Sequence, residues 1–431
     1  MVPVLPLILA GILAFSLIIF VYSLVARPLG ESIITAPMVF VAAGLALGPS
    51  ELDVLSFSAH SSLFLIFAEI ALVLVLFSDA ARIDPRALKG NKNLPARLLI
   101  IGLPLTIFAG CLGSVLLFTA LALPEAALIG TILAPTDAGL GQAIVASPKV
   151  PVRIRQALNV ESGLNDGGTM PFFFLFLALA EASAEGIPAS QWLILALEQI
   201  GLGILVGAAC GYIGSSLIQK GVKKGWMKGE FTWIGFFALA LISFVTADAV
   251  GGSGFIAAFV GGLAAAAAGE GIGESVIEFT EAGGQILSLG VFFVFGLLAA
   301  DLLSGITGTI LLYAVLSLTL VRMVPVAISL AGTHLSPASV GFIGWFGPRG
   351  LASIVLLFIV YDEASGISGL STITLVVGAT ILLSVFAHGL TANPAINRYA
   401  KLIGKLPQDA PERMEVHEVP TRTWYPGAGK G

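Results

Sequence analysis

Ala134-Pro135-Thr136-Asp137-Ala138-Gly139 interrupts an apolar run that extends from residue 124 to residue 147. Proline removes a backbone donor and breaks the helical ladder, so the freed carbonyls must find another partner. Near the middle of a bilayer such a break is tolerated where it is buried in protein or lines a cavity. A second interruption, Gly347-Pro348-Arg349-Gly350, lies inside the run 337–361. In the span order given below, the two breaks are an odd number of spans apart, so their helices cross in opposite directions. Paired broken helices at corresponding positions of two oppositely oriented halves indicate an inverted repeat with a binding site near the midplane.

The rest of the chain supports a membrane setting for these breaks. Of its 431 residues 57% are apolar and 11% charged, and the mean hydropathy is +0.99. A water-soluble domain carries about 25% charged residues. Gly/Pro and charge clusters divide the sequence into thirteen apolar segments: 3–25, 33–48, 60–79, 95–121, 124–147, 154–180, 190–219, 231–249, 252–268, 280–300, 305–333, 337–361 and 368–395. Most reach the roughly 20 residues that cross a hydrocarbon layer about 30 Å thick. The expected fold is an all-α polytopic membrane protein. The expected domains are a transmembrane unit, 1–395, and a short, flexible cytoplasmic tail, 396–431.

Charge placement orients the spans. If alternate loops face the cytoplasm, the inward loops and the tail hold nineteen of the 21 Lys and Arg residues, and the outward loops hold only acids such as Glu51, Asp53, Glu125, Glu181, Asp301, Asp362 and Glu363. This bias predicts an outside N-terminus and a cytoplasmic C-terminus in a cell (inner) membrane. One inward loop, with Glu270, Glu274 and Glu278, is acidic and runs against the rule. The first run lacks a basic leader and reads as a retained span. Cys111 and Cys210 lie within apolar runs and read as small buried hydrophobes. No cofactor and no nucleic-acid partner is expected.

The remaining basic residues, Arg322 and Arg349, fall within spans, as do Glu69, Asp137, Glu161 and Asp166. A charge at a helix centre costs about 2.5–3.5 kcal/mol on insertion scales, so such residues mark function or pairing. In the sixth span, Asn159-Val-Glu161-Ser162-Gly-Leu-Asn165-Asp166-Gly-Gly, a step of about 100° per residue puts Glu161, Ser162, Asn165 and Asp166 at about 0°, 100°, 40° and 140°. Four oxygen-bearing side chains thus share one face. Oxygen ligands without His or Cys suit a hard alkali cation, and a carboxylate binds a cation or a proton in turn. Arg349 is expected to neutralise Glu161, which leaves Asp166 to titrate with Asp137 nearby. A sodium-coupled solute symporter would also carry such a face. An intramembrane aspartyl protease fits poorly, because Tyr361-Asp362 has no Gly-x-Gly-Asp partner.

Thr136-Asp137, Glu161-Ser-Gly-Leu-Asn165-Asp166-Gly, Gly344-Trp-Phe-Gly-Pro-Arg349-Gly and His388-Gly-Leu-Thr resemble the monovalent cation/proton antiporter family of bacterial NhaP-type and animal sodium/proton exchangers. The resemblance implies a homodimer in which a six-helix core carries the ion past a dimerisation bundle. It implies that Asp166 binds ion and proton, that Thr136, Asp137 and Ser162 help ligate the cation, and that Glu161 pairs with Arg349. Asn165 before the acid implies electroneutral exchange. Ala138 stands where relatives commonly have proline. Arg322 matches a basic position of the family, and Glu69 is a candidate gate or structural group.

Overall fold

A backbone in hydrocarbon must satisfy its polar groups internally, which leaves helices as the solution for a chain without barrel periodicity. The computed structural model describes residues 4–30, 32–48, 62–83, 93–186, 188–268, 273–364, 366–414 and 416. Among these, all regular structure is helical. Expected loop and tail charges at Glu51, Asp53, Arg86, Lys89, Lys92, Glu270, Arg422 and Lys430 lie outside the described residues.

The first helices are α1 (Val4–Gly30), α2 (Ala36–Leu47) and α3 (Ser62–Ala81). A short α4 (Asn93–Arg97) passes through a π-helical turn, Leu98–Gly102, into α5 (Leu103–Leu117). The run around Pro135 is split as the sequence requires, into α6 (Leu123–Ile132) and α7 (Ala138–Val145). Next come α8 (Val152–Glu185), α9 (Ala189–Lys223), α10 (Glu230–Ala249), α11 (Gly254–Ala267) and α12 (Glu274–Leu303). The pair α13 (Gly308–Leu318) and α14 (Leu320–Ser329) forms one apolar stretch. The second break separates α15 (Pro337–Trp345) from α16 (Leu351–Glu363), and α17 runs from Leu370 to Ile403. Among the described residues, nine helical stretches are long and apolar enough to cross a membrane, and α2, α6 and α11 are shorter apolar helices.

Small residues set the closest approaches. A Cβ on Gly207 of α9 would lie 2.7 Å from Ala257 Cα of α11, and one on Gly110 of α5 would lie 2.7 Å from Gly130 Cα of α6. Such contacts let backbones meet where no hydrophobic force separates helix from lipid. At the rim, Leu9, Leu13, Phe20 and Leu24 of α1 are all more than half exposed, a face suited to lipid or to another subunit.

Arg82 and Arg97, both expected in one inward loop, find partners on neighbouring elements. Arg82, just past α3, pairs with Glu281 of α12, and Arg97 donates to the carbonyls of Ser329, 3.2 Å, and Ala331, 2.5 Å. On the opposite side the buried Glu125 accepts the Ala122, Gly369 and Ser368 donors at 2.8, 2.9 and 3.1 Å, tying α6 to the start of α17.

The described part of the tail, residues 396–414 and 416, departs from the expectation of a flexible end. Helix α17 continues past residue 395 to Ile403, and residues 404–414 fold back on the helix ends. Glu412 is buried and accepts the Ser336 amide and the Ser339 hydroxyl, both at 2.7 Å. Tyr399 stands 2.8 Å from the same Ser339 hydroxyl, and Arg153 of α8 donates to the Pro411 carbonyl at 2.6 Å. Polar bonds do here what apolar residues do elsewhere, which is why hydropathy gave no sign of it.

Candidate functional site

The two breaks touch. The Asp137 amide donates to the Pro348 carbonyl at 2.8 Å, so the interrupted segments meet through their own backbone. Asp137 is the N-cap of α7, where one carboxylate oxygen accepts the Leu140 amide at 3.1 Å. Its other oxygen accepts the Leu351 amide at 2.7 Å, at the first residue of α16. One carboxylate therefore covers the positive ends of two half-helices, where anions are favoured. Gly350 is required for this approach: a Cβ there would lie 2.6 Å from the Asp137 carboxyl carbon.

Arg349 serves the opposite kind of terminus. Its Nη1 donates to the carbonyls of Ala134 and Pro135, beyond the C-terminal end of α6, and Ser353 donates to the Ile132 carbonyl at 2.6 Å. These carbonyls have no helical donor because the helix is interrupted between Ile132 and Ala138, and the cation sits at the negative end of a helix dipole. From α17, Ser384 Oγ accepts the Arg349 amide at 2.7 Å. His388 Nε2 lies 2.9 Å from the Trp345 carbonyl, and its Nδ1 lies 3.0 Å from the Ser384 carbonyl. His388 Nδ1 meets the Ser384 hydroxyl at 3.1 Å.

The expected Arg349–Glu161 pair is not formed. Glu161 of α8 instead pairs with Arg322 of α14, Oε1 to Nη1 at 2.6 Å, and both side chains are buried. The physical reason is the demand of the broken helix: its carbonyls take the Arg349 guanidinium, and the second buried arginine is left for Glu161. Gly347 makes room for this arrangement, since a Cβ there would lie 2.5 Å from Arg322 Nε.

The other expected site residues gather on α8 beside the break. Asn165 donates from Nδ2 to Thr136 Oγ1 at 2.7 Å, and both residues are buried. Ser162 and Asp166, one turn apart, are also buried, at 7% exposure each. Sequence reasoning missed Asp79, which is equally buried near the end of α3. A Cβ on Gly163 would lie 3.7 Å from Asp79 Cβ, so this acid faces α8 next to Ser162 and one turn from Asp166. It is the last residue of the third expected span, 60–79, and was not singled out; helical phase from Ala68, Ala71, Leu72 and Val75, all buried, was the signal available.

Glu69 is not part of this cluster. It lines a cavity of about 530 Å³ together with Glu181, Asp248 and Glu363, at the end of the molecule opposite the basic loops.

Comparison with known proteins agrees with this architecture. Residues 14–398 match the family described as sodium/hydrogen exchanger, transmembrane. The K(+)/H(+) antiporter NhaP2 of Shewanella sp. (strain ANA-3) is 26% identical over 395 residues, which cover 90% of this chain and 66% of that protein. This chain thus spans slightly under two thirds of NhaP2. The Na(+)/H(+) antiporter ApNhaP of Aphanothece halophytica is 26% identical over 405 residues, covering 88% of this chain and 74% of ApNhaP. The sodium proton antiporter MjNhaP1 from Methanocaldococcus jannaschii shares the fold, with a TM-score of 0.73 at 21% identity over 89% of this chain and 99% of that one. Two touching helix breaks beside a buried acidic face, within a match that takes in nearly the whole chain, place this protein in the sodium/hydrogen exchanger family.

Proposed function

We propose that this protein is a secondary active antiporter that exchanges a monovalent alkali cation, sodium in the first instance with potassium and lithium as alternatives, for protons. The observation that carries the reading is the buried Asp166 on the polar face of α8, beside an interrupted helix whose ends are already satisfied by Asp137 and Arg349. With those two charges committed to backbone, the cation falls to the oxygens of Asp166, Ser162 and Thr136, with Asp79 facing them from α3. Asn165 is a positioning residue that holds Thr136, and Glu161 with Arg322 supports α8 as a neutral pair.

Asp166 takes either a proton or a cation, so each ligand expels the other, and alternating exposure of the site converts competition into exchange. If Asp166 alone changes its occupancy, one cation moves for one proton and no net charge crosses. The protein lies in the inner membrane with its basic loops and C-terminus in the cytoplasm, and it functions as a homodimer. These assignments rest on the charge bias of the loops and the resemblance to NhaP-type proteins.

The test is exchange in proteoliposomes acidified within, followed by a pH-sensitive dye on addition of Na⁺, K⁺ or Li⁺. The wild type should alkalinise the lumen with an ion ranking, and Asp166→Asn should not. Dissipating the membrane potential should leave the rate unchanged. No cation-dependent proton movement at any pH would defeat the proposal and turn attention to organic-solute symport.

A further inference from the structure

The turn between α9 and α10 presents Lys220, Lys223, Lys224 and Lys228 together, all exposed, with Glu230 the nearest acid in sequence. Among the described residues none of the four has an ion-pair partner. Trp226 in their midst is 76% exposed, and Lys224 Nζ lies 4.4 Å from the centroid of its ring.

This is a built surface. The Trp226 and Met227 amides return to the Gly221 carbonyl at 2.8 and 3.2 Å, and the turn is reversed at Gly225 and Gly229, whose φ values are 71° and 43°. Met227 plugs the gap between the helices. A Cβ on Gly221 would lie 2.9 Å from its sulfur, and one on Gly235 would lie 3.2 Å from its terminal methyl. With Met227 driven inward, Trp226 and the lysines are driven outward. They emerge at the end of α9, beside lipid-facing Leu217 and Phe231, which are 60% and 68% exposed.

We propose that this turn is a docking surface for anionic lipid headgroups of the leaflet it faces. An indole settles at the headgroup level of a bilayer, and clustered lysines next to a membrane helix attract anionic lipid. Trp226 sets the depth at which the ammonium groups meet the lipid phosphates, and the inward Met227 keeps that depth fixed. The proposal requires that the chain spans a bilayer and does not depend on the exchange reading.

The experiment places the full chain in vesicles of phosphatidylcholine that contain a minority of brominated lipid, either brominated phosphatidylglycerol or brominated phosphatidylcholine. Tryptophan quenching is read, and Trp226→Phe identifies the Trp226 contribution. Brominated phosphatidylglycerol should quench Trp226 more strongly than its neutral counterpart. The preference should fall about five-fold for each Lys→Gln change among the four lysines and weaken as salt is raised. Soluble glycerol phosphate should not compete. Equal quenching by the two lipids, a preference that survives the fourfold Lys→Gln variant, or loss of preference to soluble glycerol phosphate would each overturn the proposal. Met227→Ala, which leaves every charge in place, should reduce the preference by loosening the turn, and its thermal unfolding checks that the helices remain packed.

Discussion

Arg322 and Glu161 form a 2.6 Å ion pair whose side chains are 2% and 3% exposed. The pair joins α14 to the helix that carries Asp166. Taking one member of such a pair away strands a buried charge, at a cost of about 3–5 kcal/mol. Arg322→Met and Glu161→Gln should therefore each lower the unfolding temperature strongly. The double variant should recover much of the loss, because neither charge is then left alone. Thermal unfolding in detergent or nanodiscs measures all three.

Arg349→Lys tests the role assigned to the second buried arginine. A lysine keeps the charge but loses the planar fork that reaches both Ala134 and Pro135. Leaving a buried acceptor unsatisfied costs about 1–3 kcal/mol. Stability should fall by that order, and exchange should fall more than ten-fold. If Arg349 were instead the counter-ion of Glu161, Arg349→Lys would be tolerated and Arg322→Met would strand no charge and cost little stability.

Gly350→Ala should be among the most damaging single-methyl additions in the chain. The new carbon would displace the Asp137 carboxylate from the Leu140 and Leu351 amides that it caps. Losing a cap costs about 0.5–2 kcal/mol, and two helix starts share this one. Gly141, whose Cβ would meet nothing within 4 Å, provides the control, and Gly141→Ala should be silent in both expression and transport.

Asp79 and Glu69 should separate in transport assays. Asp79→Asn alters an acid facing α8 and should raise the cation concentration needed for half-maximal exchange by about ten-fold, the effect of losing one charged ligand. Glu69→Gln changes a cavity wall ten residues from Asp79 along α3, about 15 Å of helix, out of reach of the cation ligands, and should leave that concentration within about two-fold.

Glu412 gives the fold-back of residues 404–414 a pH signature. Burial alone would raise its carboxyl, but the bonds from the Ser336 amide and the Ser339 hydroxyl outweigh burial and hold it below its ordinary value. A carboxyl depressed in the folded state stabilises above its unfolded value, and that contribution is lost as pH falls through the folded one. Wild-type protein should therefore lose its stability advantage over Glu412→Gln on acidification below about pH 4.5. At neutral pH the variant should be less stable by about 1.5–3 kcal/mol.

Much of this architecture was legible because it is written in one-dimensional signals. Apolar run length announced the helices, and Pro135 and Pro348 announced the breaks. The oxygen-bearing face of α8 followed from spacing alone, and Ser162, Asn165 and Asp166 are all buried there. What spacing could not give was the choice of partner. Two buried arginines and one nearby glutamate leave a choice that only the position of the Ala134 and Pro135 carbonyls resolves. Asp79 was overlooked because an acid near a helix end is usually solvated. The fold-back of 404–414 was hidden because a carboxylate held by two polar donors leaves no trace in hydropathy.

The single bond from the Asp137 amide to the Pro348 carbonyl has a mechanical meaning. Four half-helices are riveted at one point, and Arg349 and Asp137 brace the joint from opposite electrical ends. No half-helix can slide along its crossing partner without tearing that rivet. The crossing is therefore built to move as one stiff wedge under the proposed exchange, with the flexing left to its connections at either surface.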